Sequence, residues 1–194
     1  MAFSPALWHG ARTAARQDRM SDFHIRPVTD ADLKALSAFS RQTFFETFVD
    51  GFGIAYPQAD LDVFFAESFS EEALAKRIHD QECIFWLAER DDQILALCHA
   101  GPNGLSHPLA KDGELELRRL YVAKSAQGLG LGTELLKRAL AWMEQHTTGA
   151  LWIGVWSGNL KAQKLYGAYG FEKVGEYQYP VGQWLDDEFI LRRA

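Results

Sequence analysis

The amino-acid sequence predicts an α/β fold, one domain over residues 22–194 of a 194-residue chain, and three observations carry that expectation. Two apolar runs rich in strand formers, 83–89 and 94–100, are separated by Arg90-Asp91-Asp92-Gln93, a hairpin signature. A third run, 114–122, leads through a glycine-rich turn into an amphipathic helix whose Leu135, Leu136, Ala139, Leu140 and Met143 share one face. A fourth, 151–156, is apolar on both faces, as expected of a strand covered on both sides.

The other elements follow in chain order. Residues 24–28 read as a short strand, and Thr29-Asp30 as a helix N-cap. Leu33, Leu36, Phe39 and residues 40–44 recur at helical spacing until Asp50-Gly51-Phe52-Gly53 breaks the pattern. A second helix is expected from about residue 59. A third is opened by Ser70-Glu71-Glu72, with acids in its first turn where the helix dipole favours them. Residues 101–113 hold two prolines and three glycines and read as an exposed loop. A short helix over 160–169 and a closing pair of strands, 171–179 and 189–193, complete the domain. Residues 1–21, with Arg12, Arg16 and Arg19 against the single acid Asp18, lack helical periodicity and are expected to be a poorly ordered extension.

Composition narrows the function. A formal net charge of −6 disfavours a nucleic-acid partner, which usually meets a basic face. Cys83 and Cys98 form no Cys-x-x-Cys pair, so neither a disulfide framework nor a zinc site is implied, and the adjacent Cys98-His99 reads as a core strand position. No apolar run approaches the ~18 residues of a membrane helix. The expectation is therefore a cytoplasmic protein with no metal, no membrane and no nucleic-acid partner.

The turn Gln127-Gly128-Leu129-Gly130-Leu131-Gly132 lies between a strand and a helix. A dinucleotide fingerprint would need a glycine at Thr133, and a P-loop would need a lysine after Gly132. Neither is present, so a nucleotide phosphotransferase is disfavoured. Glycines let the backbone approach an anion, and the helix N-terminus adds open N–H groups and about half a positive charge. A pyrophosphate fits that physics; a plain tight turn is the competing reading.

Glu116-Leu117-Arg118-Arg119-Leu120-Tyr121-Val122, the turn at 127–132, then Asn159-x-x-Ala162-x-x-x-Tyr166 and Tyr169-Gly170-Phe171 resemble the GNAT (Gcn5-related N-acetyltransferase) superfamily over about residues 23–193. The resemblance implies a mixed central sheet of about six to seven strands, with a splayed central pair and helices on both faces. It implies acetyl-CoA as acyl donor, held by Gln127, Gly128, Gly130, Leu131, Gly132 and Thr133 at the pyrophosphate. Leu120, Tyr121 and Val122 would pair with the pantetheine arm and Asn159 would touch it from the other side. Asn159 reads equally well as a helix N-cap.

By the same resemblance Tyr166 protonates the leaving thiolate, a role that suits a phenol of pKa ~10. The acceptor amine, with a pKa of ~10.4, must lose a proton at a cost of roughly 4.6 kcal/mol at pH 7. Glu116 is the candidate base, with Glu114 on the same face by parity unless a bulge intervenes. Some relatives carry a glutamate in the following strand, where this chain has Gly154.

Within the superfamily, Thr43-Phe44-Phe45-x-Thr47-Phe48, 61–72, 151–156 and 175–191 are most similar to the bacterial Pai-type polyamine and small-amine acetyltransferases. That branch implies transfer to a primary amine of a small molecule, a polyamine among them. Phe44, Phe48, Tyr56, Tyr177, Tyr179, Trp184, Asp186, Asp187 and Glu188 are candidates for clamping an alkylammonium, or else core aromatics and a solvated acidic turn. Arg118 departs from the branch, since it stands where a second strand glutamate is expected. Protein N-terminal or lysine acetylation and a non-catalytic acyl-CoA-binding module are the alternatives. Relatives that pair through strands and helices make a homodimer an expectation as well.

Overall fold

A computed structural model describes residues 23–194, so the extension expected over residues 1–21 lies outside the described residues. Strands β1 (His24–Pro27), β2 (Ile84–Arg90), β3 (Gln93–Pro102), β4 (Leu115–Val122), β5 (Leu151–Trp156), β6 (Glu172–Val181) and β7 (Trp184–Arg193) form one sheet. Their spatial order is β1-β2-β3-β4-β5-β7-β6. Only β4 and β5 run parallel; every other neighbouring pair is antiparallel.

Three helices, α1 (Leu33–Phe44), α2 (Gln58–Phe69) and α3 (Glu71–Ile78), precede the β2–β3 hairpin. Helix α1 buries Leu36, Phe39, Ser40, Thr43 and Phe44 at three- and four-residue spacing, then widens into a π-type turn over Phe45–Val49. Gly51 follows just after it, at a position that only glycine fits, because a Cβ there would fall 2.6 Å from the Thr47 carbonyl oxygen. Ser70 caps α3, its hydroxyl accepting the Ala73 N–H at 3.2 Å.

Helix α4 (Leu131–His146) covers the opposite face of the sheet. Leu131, Leu135, Leu136, Ala139 and Met143 are fully buried there against Cys98, Leu117, Ile153 and Val155. Each such leucine contributes about 1.5–3 kcal/mol by burial. The α1–α3 face holds two further clusters, one around Leu36, Phe85 and Leu97 and one around Phe44, Phe64, Phe69 and Val181. Cys98 faces α4, while its neighbour His99 stacks on Phe85 with ring centroids 4.1 Å apart.

Two irregularities of the sheet bear on the site. His99 pairs with Arg119 but Ala100 pairs with Leu117, so Arg118 is an extra residue in β4, a bulge. Strand β7 also begins at Trp184 rather than at the expected residue 189. Gly182, at φ +64°, closes a two-residue turn that pairs Val181 with Trp184. Asp186-Asp187-Glu188 is thus strand, not turn: Asp186 is buried, Asp187 exposed and Glu188 half-buried.

Candidate active site

Beyond Leu117↔Ile153 the parallel strands part company. Their register stops there, although β4 continues to Val122 and β5 to Trp156. The other edge of β4 stays paired with β3 as far as Val122. Among the described residues, backbone groups of 118–122 that face β5 therefore have no strand partner. A cavity of about 1090 Å³ opens in this gap.

At one end of the cavity lies the glycine-rich turn. Gly128 and Gly130 hold φ of +82° and +95°, a region that L side chains rarely enter. Gly130 is the N-cap of α4, and the first closing bond of the helix runs from the Glu134 N–H to the Gly130 carbonyl. That leaves the N–H groups of Leu131, Gly132 and Thr133 open. A Cβ on Gly132 would press on Val122 Cγ2 at 3.3 Å, so the glycine lets α4 sit tight against β4. Lys124, Lys161 and Lys164 rim this end, and the Lys161 ammonium donates to Gln127 Oε1 at 3.2 Å. These lysines are absent from the sequence-based expectation; their one signal is a place beside the turn and the Asn159 helix.

Asn159 opens α5 (Leu160–Gly167), where its Oδ1 accepts the Ala162 N–H at 3.0 Å. The cap reading is correct, and the residue lines the cavity as well. Two turns further on, Tyr166 is buried and also lines it. Burial, with Cys98 and Tyr121 nearby, pushes its phenol above the ordinary value of 10, so it stays protonated at neutral pH.

Carboxylates gather at the other end. Glu116 is buried and its Oε2 accepts the Gly104 N–H at 2.9 Å. Burial raises its pKa above 4.5. Glu114 is on the same side of the bulge, but its oxygens are taken by the Lys111 and Ala150 N–H groups and by Trp152 Nε1 at 2.7 Å. It ties a loop to β5 and does not line the cavity. Glu188 reaches in from β7 and accepts the Tyr177 hydroxyl at 2.5 Å. Burial, with Asp186 and Glu116 near, raises its pKa to about 7. The space it fills is the one left by Gly154, whose Cβ would be 3.0 Å from Glu188 Oε2.

The aromatic and acidic clamp resolves into separate parts. Phe44 is core, packed on Phe48, Phe64 and Phe69. Asp186 is tied up locally, accepting the Tyr56 hydroxyl at 2.5 Å and Trp184 Nε1 at 3.0 Å. Asp187 points away into solvent. Phe44, Phe48, Tyr177, Tyr179, Asp186 and Glu188 line the cavity, whereas Tyr56, Trp184 and Asp187 do not.

A family model, the acetyltransferase (GNAT) family, matches residues 41–171, about two thirds of the chain. The chain belongs to the GNAT family. It is an N-acyltransferase by that membership and by its relatives. This GNAT chain is 27% identical over 175 residues to the uncharacterized N-acetyltransferase of the pepI 3' region of Lactobacillus delbrueckii subsp. lactis, covering 90% of this chain and 99% of that one. It is 30% identical over 70 residues to a probable spermine N(1)-acetyltransferase of Bacillus subtilis subsp. natto, or 36% of this chain and 46% of the relative. The same GNAT fold is seen in the crystal structure of PaiA N-acetyltransferase from Thermoplasma acidophilum in complex with coenzyme A, at a TM-score of 0.68 and 19% identity over 88% of this chain and 98% of that one. Among the described residues no helix is long and apolar enough to cross a membrane.

Proposed function

We propose that this chain transfers an acetyl group from acetyl-CoA to the primary amine of a small molecule. The observation that carries this reading is that Tyr166, Glu116 and every residue expected to bind the donor line one cavity. The cradle suits a pyrophosphate: two glycines at positive φ remove side chains from its wall, and α4 presents three open N–H groups. Lys124, Lys161 and Lys164 supply positive charge for phosphate oxygens. The open edge of β4 from Leu120 to Val122 can take up the amide groups of a pantetheine arm as an added strand would. The coenzyme A complex of PaiA supports the donor, and the probable spermine acetyltransferase supports a small amine as acceptor.

The chain's own residues supply the proton traffic. The amine attacks the thioester carbonyl, a C–N bond forms and the C–S bond breaks. Tyr166 gives its phenolic proton to the departing sulfur. Glu188, with Glu116 beside it, takes the proton that the ammonium loses. Burial helps that transfer: delivery from a group of pKa ~10.4 to a carboxylate at its ordinary 4.5 is uphill by about 8 kcal/mol, against about 4.6 kcal/mol at the pKa of about 7 of Glu188, and Glu116 is raised in the same direction. Thiol release from acetyl-CoA across a panel of primary amines, with mass detection of the product, tests the reading. Acetylated amine is the expected result. Coenzyme binding without turnover on any amine would leave a non-catalytic acyl-CoA-binding module.

A further inference from the structure

The acceptor end of the cavity carries two guanidinium groups that the acetyl-transfer chemistry does not use. The bulge at Arg118 is their origin. Without it, strict alternation from Glu116 would turn Arg119 toward the apolar α4 core, where Leu117 lies. With it, Leu120 and Val122 pack on the α4 side, and Tyr121 packs with the clusters on the α1–α3 side. Arg119 shares that side with Tyr121, its guanidinium 5.3 Å from the Phe69 ring centroid. Arg118 and Arg119 both line the cavity with Glu116, Tyr177, Tyr179 and Glu188.

Among the described residues, neither arginine is paired with a carboxylate. The guanidinium ion pairs there belong to Arg26, Arg90, Arg138 and Arg193. Arg118 donates to the Pro102 carbonyl, at 2.5 Å, and Arg119 has the Tyr121 phenol beside it. Glu116 is near enough to feel both groups, yet no carboxylate of the described residues lies within 4 Å of either. Behind them Arg77 spends its guanidinium on the Ser68 and Glu67 carbonyls. Next to Arg119 in register, His99 is wholly buried with both ring nitrogens unpartnered. Arg119 is half-buried and Arg118 exposed. Burial opposes the charge on Arg119, but the Tyr121 and Tyr179 phenols and Glu116 more than offset it without an ion pair, so the fork stays charged and open to a carboxylate in the cavity, which it matches in a bidentate fashion.

The opposite pole is Glu188. It stands on β7 with β5 between it and β4, across the gap that opens beyond Leu117↔Ile153, and Arg119 is near enough to act on its charge. We infer that the acceptor is a small amino acid, an amine that also carries a carboxylate, with its ammonium directed to Glu188 and its carboxylate held by Arg119 and Arg118. A polycation presents like charge to the arginine wall, and so it is selected against. The inference rests on the acetyl-transfer reading.

Thiol release from acetyl-CoA is measured with matched acceptors: phenylalanine and 2-phenylethylamine, methionine and 3-(methylthio)propylamine, β-alanine and ethylamine, with spermidine as the polycation. In at least one pair the carboxylate-bearing member is favoured by about 100-fold in kcat/KM, most of it in KM, because a site built for a charged group rejects the analogue that lacks it. Arg119→Gln shrinks that ratio at least tenfold, and Arg118→Gln shrinks it in the same direction. Arg119→Lys, which keeps the charge but not the fork, falls between. Calorimetric titration of the favoured amino acid into the coenzyme A-loaded protein gives weaker binding for Arg119→Gln. Equal or better use of the descarboxy amines in every pair, or of spermidine above all, overturns the inference and leaves acetyl transfer standing. Absence of thiol release with every amine removes the acetyl-transfer reading and this inference together.

Discussion

Gly154 and Glu188 occupy one site between them: a Cβ on Gly154 would stand 3.0 Å from Glu188 Oε2 and closer still to Tyr177 Oη. The missing side chain on β5 is what admits a carboxylate from β7. Gly154→Ala therefore displaces the Tyr177–Glu188 pair, and a displacement of that size at a reacting group is enough to lose tenfold or more in kcat. Coenzyme A affinity, set at the far end of the cavity, changes little. Steady-state kinetics beside calorimetric coenzyme binding separate the two effects.

Glu188 makes turnover pH-dependent. A base must be deprotonated, so kcat rises with pH through an apparent pKa of about 7. Glu188→Gln lowers kcat by about 100-fold or more and abolishes that limb. Stability moves in the opposite sense. The folded-state pKa lies above the ordinary 4.5, so the folded chain binds this proton more tightly than the unfolded chain does. The associated stability is fully present below pH 4.5 and is lost as pH rises to about 7. Thermal unfolding across that window shows a shallower decline in Glu188→Gln.

Tyr166→Phe keeps the ring that packs in the α4 core and removes only the hydroxyl. Turnover falls about 100-fold while coenzyme A affinity stays within a few-fold. Single-turnover rates and equilibrium binding check it; an unchanged rate would withdraw the acid role.

Gly130→Ala forces a side chain into φ +95°, costing about 1–2 kcal/mol, in the turn that lines the cavity. Coenzyme A binding weakens tenfold or more by calorimetry. Gly167→Ala is the control: it ends α5 at ordinary φ with open space around its Cβ, and gains up to about 1 kcal/mol in stability.

Glu114→Gln distinguishes the two glutamates that strand parity alone leaves together. The Glu114 oxygens hold Lys111, Ala150 and Trp152, so the variant loses about 1–3 kcal/mol in chemical denaturation. The pH limb near 7 survives, since Glu188 still stands in the cavity.

The glycine-turn end of the cavity is legible in the sequence because its signals are local. A glycine at positive φ, a helix that starts just after it and a tyrosine two helix turns past a cap all leave marks within a few residues. The carboxylate end is not, because its signals belong to partners. The Arg118 bulge exists only relative to His99 and Ala100 on β3. Asp186 and Glu188 do alternate with the exposed Asp187, but the inward residues of this stretch are acidic, so the pattern looks like a solvated turn. In the sequence Gly154 closes off one source of a base, whereas in three dimensions it makes room for the Glu188 carboxylate.

The sheet is stitched between β4 and β5 by only three register pairs, Leu115↔Leu151, Glu116↔Trp152 and Leu117↔Ile153. β1–β4 lie on one side of that seam and β5–β7 on the other. On the proposed donor-binding reading, a ligand arm along the open edge of β4 would act as a temporary strand beside that short seam, so donor binding is expected to protect the backbone amides of 118–122 from exchange.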